Sequence, residues 1–329
     1  MARTALVTGA TGLLGRQIVQ AFRSAGWDVS GTGFTRASPP STLKLDLNSR
    51  DEIHQVLNEV NPQVIIHSAA NRFPDKCSAD PAGARALNIE ASRTLAQAAQ
   101  ARSILLIYIS TDYVFPGTPG DAPYEADAPT GPPNLYGQTK LDGERAVLSE
   151  MAPSGLGVVM RVPVLYGDAV EPQESAVNVL MDVVHDAQQK HQQQQQQGGA
   201  GAEIISMDDW SIRYPTNTED VARVVQDVAA KYLDAAGGGG GKDDQKVAVL
   251  GALPKILQFS SEDSYTKYEI CKLFAEEILG LPLDGITPDK EGGNVPGAKV
   301  QRPYDCHLST RALRELGVDV QTMNFKDWW

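Results

Sequence analysis

The chain has 329 residues, 42% of them hydrophobic, and a formal net charge of −12. That apolar share supports a sizeable core and excludes a disordered protein, and the length suits one large domain or two intimate ones. An acidic surface repels nucleic-acid phosphates and anionic membranes, so neither is an expected partner; a local basic pocket for a phosphorylated ligand stays open.

Cys77, Cys271 and Cys306 are far apart with no C-x-x-C, and the five histidines show no ligand spacing. Neither a disulfide framework nor a metal site is expected, and a reducing compartment fits. The N-terminus runs straight into a strand and a glycine loop, without a signal-peptide pattern. The longest apolar runs, such as 104–109, are strand length and far too short to span a bilayer. A cytoplasmic location is the expectation.

In chain order, short continuous apolar runs predict strands at 5–8, 28–31, 43–46, 64–69, 105–110 and 157–162. Helical patterns fall between them at 13–25, 51–60, 84–102 and 136–149. Such alternation means right-handed βαβ units and an α/β fold with a doubly wound parallel Rossmann sheet. After about residue 170 the pattern is less regular. Helices are expected at 175–189 and 267–279, the second opened by a Thr266/Glu269 capping box. The domain expectation is therefore residues 1–170 as the dinucleotide-binding Rossmann domain and 171–329 as a smaller C-terminal α/β lobe of substrate type, the two forming one intimate unit. Low-complexity stretches at 188–201 (glutamine-rich) and 237–244 (glycine-rich) read as flexible surface insertions.

Residues 8–15 read TGATGLLG, with Gly9, Gly12 and Gly15 three apart, between the first strand and the first helix. Gly9 suits a tight turn, Gly12 lets backbone approach a pyrophosphate, and Gly15 lets the helix pack close to the sheet. The helix N-terminus then offers N–H groups and a positive dipole end to phosphates. The end of the second strand discriminates NAD from NADP. It reads SGTGFTRAS, without the carboxylate that would grip a ribose 2′-hydroxyl. Arg36, supported by Thr35, is placed to pair with a 2′-phosphate, which favours NADP(H); the alternative is an ordinary surface arginine. Asp46 is a candidate acceptor for the adenine amine, or else a turn residue ahead of a helix.

Tyr136 and Lys140 lie four apart in YGQTK and share a helix face. A neighbouring ammonium favours a phenolate, and such a pair can shuttle a proton while a nicotinamide carries hydride. Tyr268 and Lys272 repeat the spacing but read as surface. Thr111, at the end of STDYVF, is placed to hold a substrate carbonyl or hydroxyl against Tyr136. His67 reads as a core residue. Arg302-Pro303 is either a substrate-side loop or a stiffened turn. Trp210, Trp328 and Trp329 are candidate partner anchors, Trp210 equally a core residue.

TGATGLLG, STDYVF, YGQTKLDGE and RVPVLYG, in this order at strand ends, resemble the extended short-chain dehydrogenase/reductase family in its dTDP-4-dehydrorhamnose reductase-like branch. The resemblance implies Thr111, Tyr136 and Lys140 in the catalytic triad positions. It implies cofactor contacts at Thr11, Gly12, Leu13 and Leu14, at Phe34, Thr35 and Arg36, at Asp46 and Leu47, and at Ser68, Ala69 and Ala70. Val162 and Pro163 would flank the nicotinamide. Members of the branch commonly dimerise, so a homodimer is a further expectation. A narrower set of segments, GFTRASP, HSAANRFPD, ESAVNVLMD, RYPTNTEDVA, TKYEI and GAKVQRP, resembles the regulatory beta subunits of methionine adenosyltransferase. That resemblance implies an NADP-binding, reductase-fold protein that associates with the catalytic subunit in S-adenosylmethionine biosynthesis, and it adds Arg72 as a cofactor contact. The competing expectation is an NADPH-dependent 4-keto reductase of sugar nucleotides.

Overall fold

The computed structural model describes residues 2–196, 204–237, 249–291 and 300–329. The unalternating apolar runs become β4 (Val64–His67), β5 (Leu105–Thr111) and β6 (Gly157–Val162), buried at every position. Strands of that kind need a layer on each face. With β1 (Thr4–Thr8), β2 (Asp28–Gly33), β3 (Leu43–Lys44) and β7 (Ile256–Gln258) they form a seven-stranded parallel sheet of order β7-β6-β5-β4-β1-β2-β3. The strand order reverses between β1 and β4. In such sheets ligands sit at the carboxyl ends beside this reversal.

The helices that matter for the site are α1 (Leu13–Ser24), α2 (Arg50–Val60), α3 (Pro74–Ala79), α4 (Pro81–Arg85), α5 (Ser92–Gln100), α6 (Leu135–Glu150), α7 (Val179–Gln196) and α8 (Thr218–Gly237). The helix expected over 84–102 is interrupted. A π turn at Ala86–Ala91 separates α4 from α5, and it places Asn88, buried, against the backbone of Asn71 and the Thr139 hydroxyl. The third strand stops at Lys44, because Asp46 instead folds an Asx turn onto Asn48.

The helix expected at 175–189 starts later and runs further. Ser175 takes the N–H groups of Val177 and Asn178 in a turn, and α7 then continues to Gln196. The described part of the glutamine tract is therefore helix rather than surface loop. Glutamine is a good helix former, and no breaker intervenes before Gly198. The stretch 238–244 and the first three residues of GAKVQRP lie outside the described residues.

Two cores result. The main one fills both faces of the sheet and takes in α8, which packs along α1. So α8 and β7, both from beyond residue 170, lie in the layers of the seven-stranded sheet. The second core gathers Tyr166, Val184, Ile270, Phe274 and Phe325 beyond the carboxyl edge. Trp328 and Trp329 are half-buried there and meet the Tyr166 ring at 5.3 and 6.2 Å, which uses them inside the fold. Among the described residues no helix is long and apolar enough to cross a membrane.

Candidate functional site

The carboxyl ends of the central strands open onto a cavity of about 760 Å³. Its floor is the glycine loop. Gly9 has φ +70, and a Cβ on it would lie 2.9 Å from the Ala69 backbone. A Cβ on Gly15 would lie 2.1 Å from the Gly9 carbonyl oxygen. The close approach expected of Gly15 is thus between helix and loop, not between helix and sheet. A Cβ on Gly12 would meet only the Gly9 carbonyl, at 3.3 Å, so its outer side faces the cavity. Gly12 caps α1 without a side-chain hydrogen bond, leaving first-turn N–H groups for an anion.

At one end the cavity is bounded by Phe34, Arg36, Asp46 and Leu47. Asp46 lines it, although its Oδ1 also accepts from the N–H and side chain of Asn48 at 2.9 and 3.1 Å. Thr35, expected to support a phosphate beside Arg36, is exposed and does not line the cavity; it is the one expected contact that does not.

A residue that sequence reasoning missed dominates this end. Glu174 sits in the 3₁₀ turn Pro172–Glu174 with its side chain 8% exposed. Arg16 donates to its Oε2 at 2.6 Å and to its Oε1 at 3.2 Å, and Arg36 also donates to Oε1. The Arg72 guanidinium donates to the Glu174 carbonyl, and the Val170 N–H to Oε2 at 3.2 Å. Burial alone would raise the Glu174 carboxyl, but the Arg16 and Arg36 hydrogen bonds hold it down at about 2.

The other end is built by α6. Asn134 caps this helix by accepting from Gly137 N–H at 3.0 Å. Cβ atoms on Gly137 and Gly143 would lie 2.1 Å from the Tyr113 carbonyl and 2.4 Å from the Asn88 carbonyl. The two glycines in YGQTKLDGE therefore let α6 press onto the turn that follows β5 and onto the π turn at Ala86–Ala91, and Tyr136 and Lys140 line the cavity. Behind them Arg161 on β6 forks onto Glu144 at 2.9 and 2.8 Å, both side chains 2% exposed.

Lys140 is buried, donates to the Ile109 carbonyl at 2.7 Å and lies 3.9 Å from the centre of the Tyr108 ring. Burial lowers it to about 7, against the pull of Glu144. The expected lowering of the Tyr136 phenol by Lys140 is not seen. Burial pushes that phenol above its ordinary range, and the counter-effect comes from Thr111. Thr111 lines the cavity, but its hydroxyl donates to Asp112 Oδ1 at 2.9 Å. Burial pushes Asp112 up to about 7 despite this bond. Asp112 was legible as the neighbour of Thr111, yet nothing in the sequence marks it as half-buried.

The remaining expectations divide. Leu13, Leu14, Ser68, Ala69, Ala70, Arg72, Val162 and Pro163 all line the cavity, as do Arg302 and Pro303. Beyond Tyr136 the wall carries Arg213, paired with Asp208 at 2.6 Å, and Lys267, lowered by burial to about 8. His67 is a core residue between the Thr8 and Ser92 hydroxyls at 2.7 and 3.0 Å, and burial drives its imidazole down to about 3. Trp210 is half-buried against Tyr304, away from the cavity lining.

Comparison with known proteins returns a family model described as the RmlD substrate binding domain, matched over residues 3–326. The chain is similar to "Methionine adenosyltransferase 2 subunit beta" of Danio rerio, with 38% identity over 99% of this chain and 88% of that protein. It is also similar to "dTDP-4-dehydrorhamnose reductase" of Streptomyces griseus, with 41% identity over 49% of this chain and 50% of that one. Among solved structures, dTDP-4-dehydrorhamnose reductase from Bacillus anthracis, in complex with NADP, superposes with a TM-score of 0.74 at 22% identity, covering 100% of this chain and 96% of that one.

Proposed function

The chain belongs to the RmlD substrate binding domain family, and from that premise we propose that it binds NADP(H) in this cavity and serves as a regulatory subunit of methionine adenosyltransferase in S-adenosylmethionine biosynthesis. The observation that carries the reading is the 38% identity to a beta subunit of that enzyme across 99% of the chain. The relative named dTDP-4-dehydrorhamnose reductase matches 49% of it.

The residues fit the cofactor. The glycine loop leaves its open side where backbone N–H groups meet a pyrophosphate. Arg16, Arg36 and Arg72 set three positive charges against the carboxylates of Glu174 and Asp46. That local excess, in a chain of net charge −12, suits the dianion of a 2′-phosphate. When bound, the nicotinamide supplies hydride chemistry. In this reading Thr11–Leu14 bind the pyrophosphate, Arg36 and Arg72 the adenosine phosphate, and Tyr136 and Lys140 the ribose at the inner end. Val162 and Pro163 flank the ring. Residues 1–170 hold the dinucleotide and the lobe within 171–329 covers it.

One observation favours a second reading, an NADPH-dependent 4-keto reductase of sugar nucleotides. Thr111, Tyr136 and Lys140 are all present on the cavity wall. Titration against the catalytic methionine adenosyltransferase of the same organism, with and without NADPH, separates the two. Stoichiometric association that changes synthetase kinetics is expected. Absence of association, with NADPH oxidation by a 4-keto sugar nucleotide that disappears in Tyr136→Phe, would replace the regulatory reading by the reductase.

A further inference from the structure

Glu174 ties together loops from three different strand ends of the sheet. Arg16 follows the glycine loop after β1, Arg36 follows β2 and Arg72 follows β4. The ties are unequal. Arg16 makes both of its carboxylate contacts from a side chain 27% exposed, and it also donates to the carbonyls of Thr11 at 2.8 Å and Asp168 at 3.2 Å. Arg36 reaches Glu174 through Nη1, its side chain is 55% exposed, and it lines the cavity. Arg36 is therefore the exchangeable partner, and Arg16 the fixed one.

We propose that Glu174 competes with the 2′-phosphate of the cofactor for Arg36, and so tempers NADP-over-NAD selectivity. The inference rests on the dinucleotide reading above. The carboxylate holds Arg36. A ligand that carries a 2′-phosphate must take the guanidinium away, and one that lacks it has nothing to exchange. The exchange is favourable because a phosphate brings close to two charges and three acceptor oxygens against one carboxylate, and the guanidinium it takes is the exposed half of the pair. Glu174 stays ionised afterwards, since the two Arg16 contacts and the Val170 N–H remain. The competitor therefore lowers affinity for the phosphorylated cofactor without abolishing it, and leaves NAD untouched.

The test measures dissociation constants of NADPH, NADH, adenosine 2′,5′-bisphosphate and 5′-AMP by calorimetry on the full chain. Glu174→Gln is expected to bind NADPH and the bisphosphate about threefold to tenfold tighter, with NADH and 5′-AMP unchanged. The gain disappears when Arg36→Ala is added. Glu174→Asp, one methylene shorter, shifts the same ligands by a smaller factor and serves if the glutamine variant does not fold. Weaker NADPH binding with NADH unchanged would make Glu174 an organiser of Arg36 and overturn the proposal. Equal loss for both dinucleotides would reduce it to structural support, also overturning it. In both cases the cofactor reading survives; a wild-type chain that binds neither dinucleotide would overturn both.

Discussion

Two helices of this molecule carry the same three side chains at the same spacing, with opposite fates. Helix α6 presents Tyr136, Lys140 and Glu144; the helix Lys267–Leu273, with the π turn Phe274–Leu279 that continues it, presents Tyr268, Lys272 and Glu276. Lys140 and Glu144 are buried, whereas Lys272 and Glu276 are exposed and Tyr268 packs on the edge of the second core. Spacing by four fixes a common stripe but not the direction in which it faces. That is decided by what else the helix carries. Gly137 and Gly143 let the polar stripe of α6 approach β5. On the other helix Ile270, Cys271, Phe274 and Ala275 claim the inward face, and the polar stripe is left outside. The Tyr-x-x-x-Lys pattern of α6 reaches the cavity wall because small residues let that face of the helix approach a strand end.

The largest expected contrast lies in the two glutamates. Glu144→Ala leaves the Arg161 guanidinium at 2% exposure with only the Ala126 carbonyl and the Gln258 side chain as acceptors. Removing one partner of a buried pair costs about 3 kcal/mol or more. Glu276→Ala, on the exposed face, should stay within about 0.5 kcal/mol of wild type. Urea unfolding at fixed pH measures both. A loss of less than about 1 kcal/mol in Glu144→Ala would mean that the pair does not hold α6 in place.

The lysines give the next contrast, read through pH. Lys140 falls from its unfolded value of 10.5 to about 7 in the fold. Between these values the unfolded chain binds the proton and the folded chain does not. Stability from this group therefore rises with pH across that window, with a slope of at most about 1.4 kcal/mol per pH unit. Below pH 7 its burial penalty is present in full. Asp112 has the opposite history. Raised from 3.8 to about 7, it makes stability fall as pH climbs through that range. The two together predict a minimum near neutrality. Lys140→Met, which keeps an unbranched apolar stem, should flatten the rise above pH 7. Asp112→Asn should flatten the fall below it. Unfolding curves at intervals from pH 5 to 9 decide this, and an unchanged slope above pH 7 in Lys140→Met would show that Lys140 titrates as an exposed lysine does.

The same contrast explains what the sequence could and could not reveal. The sheet was legible because its inner strands are unbroken apolar runs, and the glycine loop because Gly9, Gly12 and Gly15 sit between a strand and a helix. The residues at the Arg36 end of the cavity were legible one loop at a time, each beside a strand end. Glu174 was not, because its carboxylate partners lie 138 and 158 residues away and its own segment, ESAVNVLMD, has no local chemical signature. Protonation was misjudged for a related reason. Lys140 was expected to draw down the Tyr136 phenol by proximity, but burial, which is a tertiary property, sets the direction for both groups. The helical glutamine tract was missed because low complexity suggested a loop where nothing in the residues actually breaks a helix.

The smallest expected effect tests the comparison most directly. Lys272→Met makes the same chemical change as Lys140→Met at the same place in the repeated pattern. Lys272 is exposed, contributes nothing to the cavity lining, and carries no buried neighbour of opposite charge on its stripe. Its removal should shift stability by no more than about 0.5 kcal/mol at any pH from 5 to 9, and dinucleotide affinity not at all. The pH slope that Lys140→Met removes should survive intact in Lys272→Met. If both variants lost it, the slope would belong to the general charge of an acidic chain rather than to one desolvated ammonium, and burial at the end of β5 would no longer distinguish the two helices.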